Sequence, residues 1–294
     1  MSSTNTQWPM TLPETERVRR ALEFQIPPRR KNMKLLCLYF YVILLCLHVL
    51  KLYLVDMVTI DLQFFRPPLA LFDDLLKSPH LLLDPQGFTP TQISLTYSPS
   101  GWQSVGGFKI ASVGHTSTLL FGGMSNKVCY KQCYHTRPGS GVRQIYQGAK
   151  QAESLMMELN CIGWASALMM LVYDFMAKKE QTLGQPDFQI PQMRYVQAGL
   201  AVSQSDDKAA FLLEEYIESD AETGGWFVKY LNNNSAKPRT FTNEDRMICA
   251  QFLSFAQHVQ FWKTDGLVFI SDLQGMLIPF VINCLLHLSN IYQF

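Results

Sequence analysis

The chain has 294 residues, which is enough for one large domain or two modest ones with a substantial core. Its 25 Lys and Arg residues against 24 Asp and Glu residues give a net charge of +1, so the bulk charge gives no support to a polyanionic partner such as a nucleic acid. The seven cysteines form an odd set without paired spacing, which favours a reducing compartment. We therefore expect a cytoplasmic protein without a nucleic-acid partner.

Residues 1–58 are predicted to be an N-terminal extension with a basic arm, residues 1–34, and an apolar segment, residues 35–55. The apolar segment approaches transmembrane length without clearly reaching it. A true span would place the basic arm in the cytoplasm and export the rest of the chain. We favour an apolar helix with few contacts to the following domain, and keep membrane association or a stretch that is not native coding sequence as alternatives.

Residues 59–100 are predicted to be a linker or an irregular wrap, because they combine many prolines with few periodic runs. The prolines between Phe64 and Ser100 are Pro67, Pro68, Pro79, Pro85, Pro90 and Pro99. The compact domain is expected to start near Trp102 and to occupy residues 101–275.

Alternating apolar residues predict strands over Val105–Val113 and Lys127–Tyr134, and helical spacing predicts a long helix over Gln144–Met176. Further strands are predicted over Met193–Val202 and Ala210–Ile217. The order of these elements indicates an α+β fold with a β-rich N-terminal lobe and a mixed second lobe.

Cys129 and Cys133 could be two ligands of a metal site, but the sequence has no second CxxC or HxxxH cluster to complete it. We interpret them as packed strand residues. Between them lies Lys131, in the apolar run from Val128 to Tyr134. A buried ammonium is costly unless an anion neutralises it, so Lys131 is a candidate phosphate ligand. The alternative is an edge-strand lysine that reaches solvent.

Three later stretches carry polar groups at the ends of apolar runs. Glu214 and Glu215 end the run from Phe211 and could meet adenine at a hinge, or simply end a strand. Lys229 and the amides of 232–234 could hold phosphate oxygens or Mg²⁺, or form a turn. Asp272 and Gln274 follow a buried strand on one side of its end, which suits a metal bound to a triphosphate, although a plain strand-to-turn ending has the same pattern.

The order of VCYKQCY, LLEEYI, WFVKYLNNNS and FLSFAQHVQFWKTDGLVFISDLQG resembles the alpha-type (atypical) protein kinase family. Strings such as GFKIAS, ELNCIGWASALMMLVYDF and IPQMRYVQAGLAV are most similar to the fungal-type domains of that family. The resemblance covers Trp102 to Gly275, and it implies that the C-terminal end of the family's domain is truncated.

The resemblance implies a two-lobed kinase-like fold that uses ATP and Mg²⁺ to phosphorylate Ser or Thr in a protein substrate. It implies that Lys131 contacts the ATP phosphates, that Glu214 or Glu215 lies at the adenine hinge, and that Lys229 and Asn233 lie near the phosphates. Asp272 and Gln274 take the metal-binding and catalytic positions of its DLQG motif.

The chain departs from the family's pattern after Gly275, where an apolar tail, residues 276–294, replaces the family's TDP motif and its catalytic aspartate. His258 matches the first zinc ligand of the family, and only Cys284 and His287 are left as further candidates. We therefore expect that zinc is not retained and that phosphate transfer is weaker than ATP binding. A non-catalytic ATP-binding scaffold and a membrane-anchored interaction protein stay as alternatives.

Overall fold

The structure of the protein is a computed structural model that describes residues 57–78, 89–123, 125–205, 209–217, 228–232, 235–271, 273–276 and 281–284, all within one compact unit. The strands are β1 (Val58–Phe65), β2 (Thr91–Tyr97), β3 (Gln103–Val105), β4 (Lys109–Thr116), β5 (Lys127–Thr136), β6 (Arg143–Ile145), β7 (Arg194–Tyr195), β8 (Ala198–Ser203), β9 (Ala210–Glu215), β10 (Val228–Lys229), β11 (Leu231–Asn232), β12 (Ser235–Pro238), β13 (Leu273–Met276) and β14 (Val281–Cys284). The helices are α1 (Phe72–Lys77), α2 (Gly148–Leu183) and α3 (Glu244–Lys263).

Six antiparallel strands close into a barrel in the order β1, β2, β4, β5, β9 and β8. The ring closes because β4 pairs with β2 along one edge and with β5 along the other, while β8 returns to β1. The short strands β3 and β6 extend this sheet beside β4 and β5. Each barrel strand is therefore paired on both sides, which protects the strand edges.

The barrel interior is filled by alternate residues of its strands, including Leu62, Leu95, Tyr130 and Phe211. This period of two explains why the strands alternate between apolar and polar positions. Gly199 forms part of the barrel wall where the ring of Phe64 lies against it, and a Cβ at this position would meet that ring at 2.4 Å. A residue without a side chain is therefore needed there.

Helix α2 has 36 residues and packs against both lobes. Its N-terminal half places Leu155 and Leu159 on the outer face of the barrel, against Leu200 and Leu212. Its C-terminal half contributes Leu168 and other residues to the core of the second lobe. One helix thus joins the two cores.

The second lobe is built from α3, the four-stranded sheet β10-β13-β14-β7 and the hairpin β11-β12. Its core is formed around buried residues of α3 such as Leu253. Only Val196 and Gln197 separate β7, in this sheet, from β8, in the barrel. The chain therefore crosses between the lobes at these two residues.

The predicted α+β fold with a β-rich lobe and a mixed lobe is confirmed, as are the strand that begins at Lys127 and the long helix. The structure divides the strand predicted over Val105–Val113, because Gly106 and Gly107 form a hairpin between β3 and β4. It also divides the predicted strand Met193–Val202 into β7 and β8.

The interpretation of residues 59–100 as a linker outside the domain is wrong for two segments, since β1 and β2 are full members of the barrel. The prolines flank these strands, whereas Leu62, Phe64, Ile93 and Leu95 alternate within them and point into the core. Proline density over the whole segment concealed this alternation. In the predicted C-terminal tail, β14 pairs with β13 and β7.

Among the described residues, α2 is the one helix with the length and apolar composition of a membrane span. More than half of its most apolar stretch is buried inside the protein, as expected for the central helix of two cores. The apolar segment predicted over residues 35–55 lies outside the described residues.

Candidate active site

The ammonium of Lys131 on β5 contacts both carboxylate oxygens of Glu214 on β9, at 2.7 Å from Oε1 and 2.6 Å from Oε2. The strand register explains this contact, because Glu214 lies opposite Cys129 and therefore diagonally across from Lys131 on the outer face of the barrel. The side chain of Lys131 is 13% exposed and that of Glu214 is 3% exposed. Since β5 is paired with β4 and β9, the alternative of an edge-strand lysine is excluded.

Burial is the largest single influence on the pKa of Lys131 and lowers it, but the combined effect of nearby groups, led by the Glu214 carboxylate, raises the pKa above the ordinary lysine value. Cys129 and Glu158 act in the same direction. Lys131 is therefore a cation at neutral pH, and its mostly buried side chain is held in place by Glu214.

A second ion pair lies beside the first. Lys109 on β4 contacts Glu158 on α2 at 2.5 Å, and the register places Lys109 diagonally across from Lys131 on the same outer face. Sequence reasoning missed both residues. A usable signal was present in Glu158, which is a carboxylate within the apolar run of α2 between Met156 and Leu159.

The hairpin between β3 and β4 leads directly to this pair of lysines. Gly106 donates its N–H to the carbonyl of Lys109 at 2.9 Å, and the Tyr134 hydroxyl donates to the carbonyl of Gly106 at 2.6 Å. Phe108 at the tip is 78% exposed. These two hydrogen bonds fix the glycine hairpin directly before Lys109, which lies diagonally across from Lys131.

The second predicted carboxylate, Glu215, also has a cationic partner. Both terminal nitrogens of the Arg194 guanidinium on β7 donate to the two carboxylate oxygens of Glu215, which ends β9. The N–H of Glu215 donates to the carbonyl of Gln197 at 3.0 Å. Arg194 belongs to the sheet of the second lobe and Glu215 to the barrel, so this pair joins the two lobes where the chain crosses between them.

The predicted residues of the second lobe form a separate group. Lys229 on β10 lies opposite Gln274 on β13 in the antiparallel register, and both side chains are half-buried. Asn233 and Asp272 lie outside the described residues. The structure thus brings Lys131 to Glu214 and Lys229 to Gln274, while convergence of all the predicted residues on one cleft stays a prediction.

Two buried glutamines of α3 hold the backbone that leads to Asp272. Gln257 donates its Nε2 to the carbonyl of Ile270 at 2.5 Å, and Ile270 donates its N–H to Oε1 of Gln260 at 3.0 Å. Both backbone groups of Ile270 are thereby satisfied without a neighbouring strand. Two glutamines on the buried face of a helix are a weak sequence signal for this role, because buried polar groups need partners.

Side chains able to bind a metal do not cluster in the described part of the chain. No group of three His, Cys, Asp or Glu side chains with metal-binding geometry occurs among these residues. His258, predicted as the first zinc ligand of the family, is exposed on α3 and contacts the carbonyl of Ser254 through Nδ1 at 2.8 Å. The loss of zinc stays a prediction, since the side chains of Cys284 and His287 lie outside the described residues.

The four described cysteines are free, and burial raises the pKa of each thiol, to about 11 for Cys129, Cys133 and Cys249 and about 12 for Cys161. They are therefore protonated near neutral pH. Cys129 and Cys133 lie on the outer face of β5 as strand residues, which is the interpretation favoured over a metal site.

The protein has an α+β fold with two lobes, as a kinase has. One lobe is the barrel, which carries the buried lysine, and the other is the mixed second lobe. The model of the alpha-kinase family matches residues 125–290, more than half of the chain, and the chain therefore belongs to the alpha-kinase family, a family of protein kinases. A search of curated proteins found no match.

Two solved structures are similar to this chain at low identity. The alpha-kinase domain of myosin heavy chain kinase A in complex with ADP is 13% identical with a TM-score of 0.39, over 74% of this chain and 79% of that one. A mutant of the catalytic domain of the same kinase is 12% identical with a TM-score of 0.39, over 77% of this chain and 81% of that one. At this distance, neither structure assigns a role to a residue here.

Proposed function

We propose that this chain binds Mg²⁺-ATP beside Lys131 and transfers the γ-phosphate slowly to Ser or Thr of a protein. Membership of the alpha-kinase family supports a protein kinase. The observation that carries the nucleotide site is the buried Lys131 cation, held by Glu214 next to Lys109 and the glycine hairpin at Gly106. Two lysine side chains on one face can bind the oxygens of a polyphosphate.

Each residue then has a distinct role. Lys131 and Lys109 bind phosphate oxygens, and Glu214 orients Lys131. Because Glu214 and Glu215 both have cationic partners, the proposed adenine contact at the hinge falls to the backbone of residues 215–217. Lys229 and Asn233 would lie near the phosphates, and Asp272 and Gln274 would hold Mg²⁺, since carboxylate and amide oxygens suit that ion.

The second candidate function is ATP binding without phosphate transfer. It is favoured by the residues that follow Gly275, which run from Met276 to Ile282 without a carboxylate and contribute β13 and β14 to a hairpin. Phosphoryl transfer depends on metal and carboxylate positioning more than binding does, so loss of one carboxylate reduces turnover first.

A cytoplasmic location is also proposed, because the cysteine usage fits a reducing compartment. Association with membranes through residues 35–55 is the alternative. Fractionation of the tagged full chain in cells separates them, and recovery in the membrane fraction after a high-salt wash would contradict a cytoplasmic protein.

The experiment for the proposed function measures Mg²⁺-ATP binding by isothermal titration calorimetry and phosphate transfer by labelling. The full chain and its Asp272→Ala variant are incubated with radiolabelled Mg²⁺-ATP, and labelled protein is hydrolysed to identify phosphoserine and phosphothreonine. We expect slow labelling that Asp272→Ala abolishes. Binding without labelling in the unmodified chain selects the second candidate, and absence of both binding and labelling contradicts the proposal.

A further inference from the structure

A cavity of about 350 Å³ lies beside α2, between the middle of that helix, the segment 66–70 after β1, and residues 193–198 of β7 and β8. Its volume is within the range of small-molecule sites in proteins. Lys131, Lys109 and Glu214 are not among the residues that line it. It therefore lies outside the proposed phosphate-binding residues, and it borders the proposed hinge through Arg194 and Gln197, which both contact Glu215.

The walls of the cavity are mainly apolar, with Leu159, Ile162 and Met169 on α2 facing Met193 and Val196. Two of the hydroxyl groups in the walls, those of Ser166 and Tyr173, make hydrogen bonds within the protein. Ser166 donates its hydroxyl to the carbonyl of Ile162 at 2.9 Å.

The hydroxyl of Tyr173 is used twice. It donates to the carbonyl of Pro191 at 2.8 Å and accepts from the N–H of Met193 at 2.6 Å. A ligand in this cavity would therefore contact a mainly apolar surface, because the hydroxyl groups of Ser166 and Tyr173 already bond within the protein.

Two arginines line the cavity, and they differ in how their charges are balanced. Arg194 has the carboxylate of Glu215 as its partner. Arg66 donates to two neutral oxygens, Oε1 of Gln197 and, at 3.4 Å, the carbonyl of Leu120. Within the described ranges, no carboxylate pairs with Arg66.

A guanidinium has five N–H donors, and Arg66 uses two of them on uncharged acceptors. Arginine binds a carboxylate through two parallel hydrogen bonds, which makes it the suitable partner for such a group. Within the part of the chain that the structure describes, the cavity thus combines apolar walls with one arginine that has no carboxylate partner.

We propose that this cavity binds a small amphipathic carboxylate, with its hydrocarbon part between α2 and β7-β8 and its carboxylate on Arg66. The mainly apolar walls favour a hydrocarbon body over the polar sugar and phosphates of a nucleotide, which would lose their hydrogen bonds to water there. The proposal is independent of the kinase function, because it concerns binding at a different set of residues.

Isothermal titration calorimetry of the full chain with decanoate, below its micelle-forming concentration, tests the proposal, and decanol serves as the uncharged probe of the same length. Arg66→Gln removes the charge and keeps a hydrogen-bonding side chain. Arg137→Gln makes the same change on the exposed β5-β6 hairpin, outside the cavity. Ser166→Trp fills the cavity from α2, and circular dichroism checks that each variant is folded.

We expect decanoate to bind the full chain and the Arg137→Gln variant equally, and to bind Arg66→Gln at least tenfold more weakly, with decanol unaffected by either change. Ser166→Trp should abolish binding of both probes. If that variant does not fold, Met170→Trp fills the cavity from a position that is 37% exposed. Failure of decanoate to bind the unmodified chain would overturn the proposal. So would a decanoate affinity of Arg66→Gln, or of a folded tryptophan variant at Ser166 or Met170, equal to that of the unmodified chain.

Discussion

The Lys131 ammonium contacts both carboxylate oxygens of Glu214, although the two residues are 83 positions apart in the chain. The contact depends on the closed barrel, in which β5 and β9 are neighbours. It gives the proposed phosphate-binding lysine a fixed position before any ligand arrives.

Removing one partner of this ion pair should destabilise the protein more than removing both. Lys131→Met leaves the Glu214 carboxylate buried without a cation, and we expect a loss of about 3–5 kcal/mol in the free energy of unfolding. The double change Lys131→Met with Glu214→Leu should recover much of that loss. Urea unfolding of the full chain, Lys131→Met, Glu214→Leu and the double variant measures the cycle, and equal losses in the single and double variants would contradict the structure of the pair.

The hydrogen bonds of Gln257 and Gln260 to the backbone of Ile270, here called the glutamine clamp, give a second stability prediction. Gln260→Met removes the acceptor of the Ile270 N–H and leaves that group buried, with an expected loss of about 1–3 kcal/mol. Gln251→Met makes the same change on the exposed face of α3 and serves as the control. Equal unfolding free energies for the two variants would show that the clamp contributes nothing.

A methyl group at Gly199 should be tolerated poorly. Gly199→Ala places a Cβ at 2.4 Å from the ring of Phe64 and 2.7 Å from the Phe65 carbonyl, so we expect a loss of about 1–3 kcal/mol or more. Gly107→Ala is the matched control, because a Cβ there meets nothing within 4 Å. Thermal unfolding compares them, and a neutral Gly199→Ala would mean that the barrel wall is not packed as described.

The buried thiols give a pH-dependent prediction. The pKa values of about 11 to 12 in the folded protein exceed the value of about 8.5 for an unfolded cysteine, so the unfolded chain releases these protons first as the pH rises. The stabilisation is therefore complete below about pH 8.5 and falls as the pH rises through the folded pKa values.

Thiol labelling checks that the buried thiols are protonated, in a full chain with Cys37, Cys46 and Cys284 changed to Ser. We expect the four remaining cysteines to react slowly with an aromatic disulfide reagent at about pH 8, because the thiolate is the reactive form. The same protein in urea should react at all four positions. Rapid reaction of one thiol in the folded protein would identify a reactive cysteine and contradict the prediction.

Local patterns were sufficient to predict α2 and β5, because each has a long run with its own periodicity. They failed for β1 and β2, where flanking prolines concealed short alternating runs. The order of the motifs also indicated the family, which the family model confirms.

The contacts of the candidate site could not be predicted from local pattern. Lys131 was identified as a buried cation, but its partner Glu214 depends on strand order and register over a long separation. The partnership of Lys109 with Glu158 depends in the same way on how α2 packs on the barrel. Arg194 was missed because its partner Glu215 lies in the other lobe.

The most direct test of the nucleotide site is the affinity of the full chain for Mg²⁺-ATP, measured by isothermal titration calorimetry beside two variants. Lys131→Met removes the proposed phosphate ligand, and Lys178→Met makes the same change at an exposed position of α2. We expect Lys131→Met to weaken binding at least about tenfold, or about 1.4 kcal/mol, and Lys178→Met to leave it unchanged. Equal affinity of the folded Lys131→Met variant and the unmodified chain would contradict the proposed site.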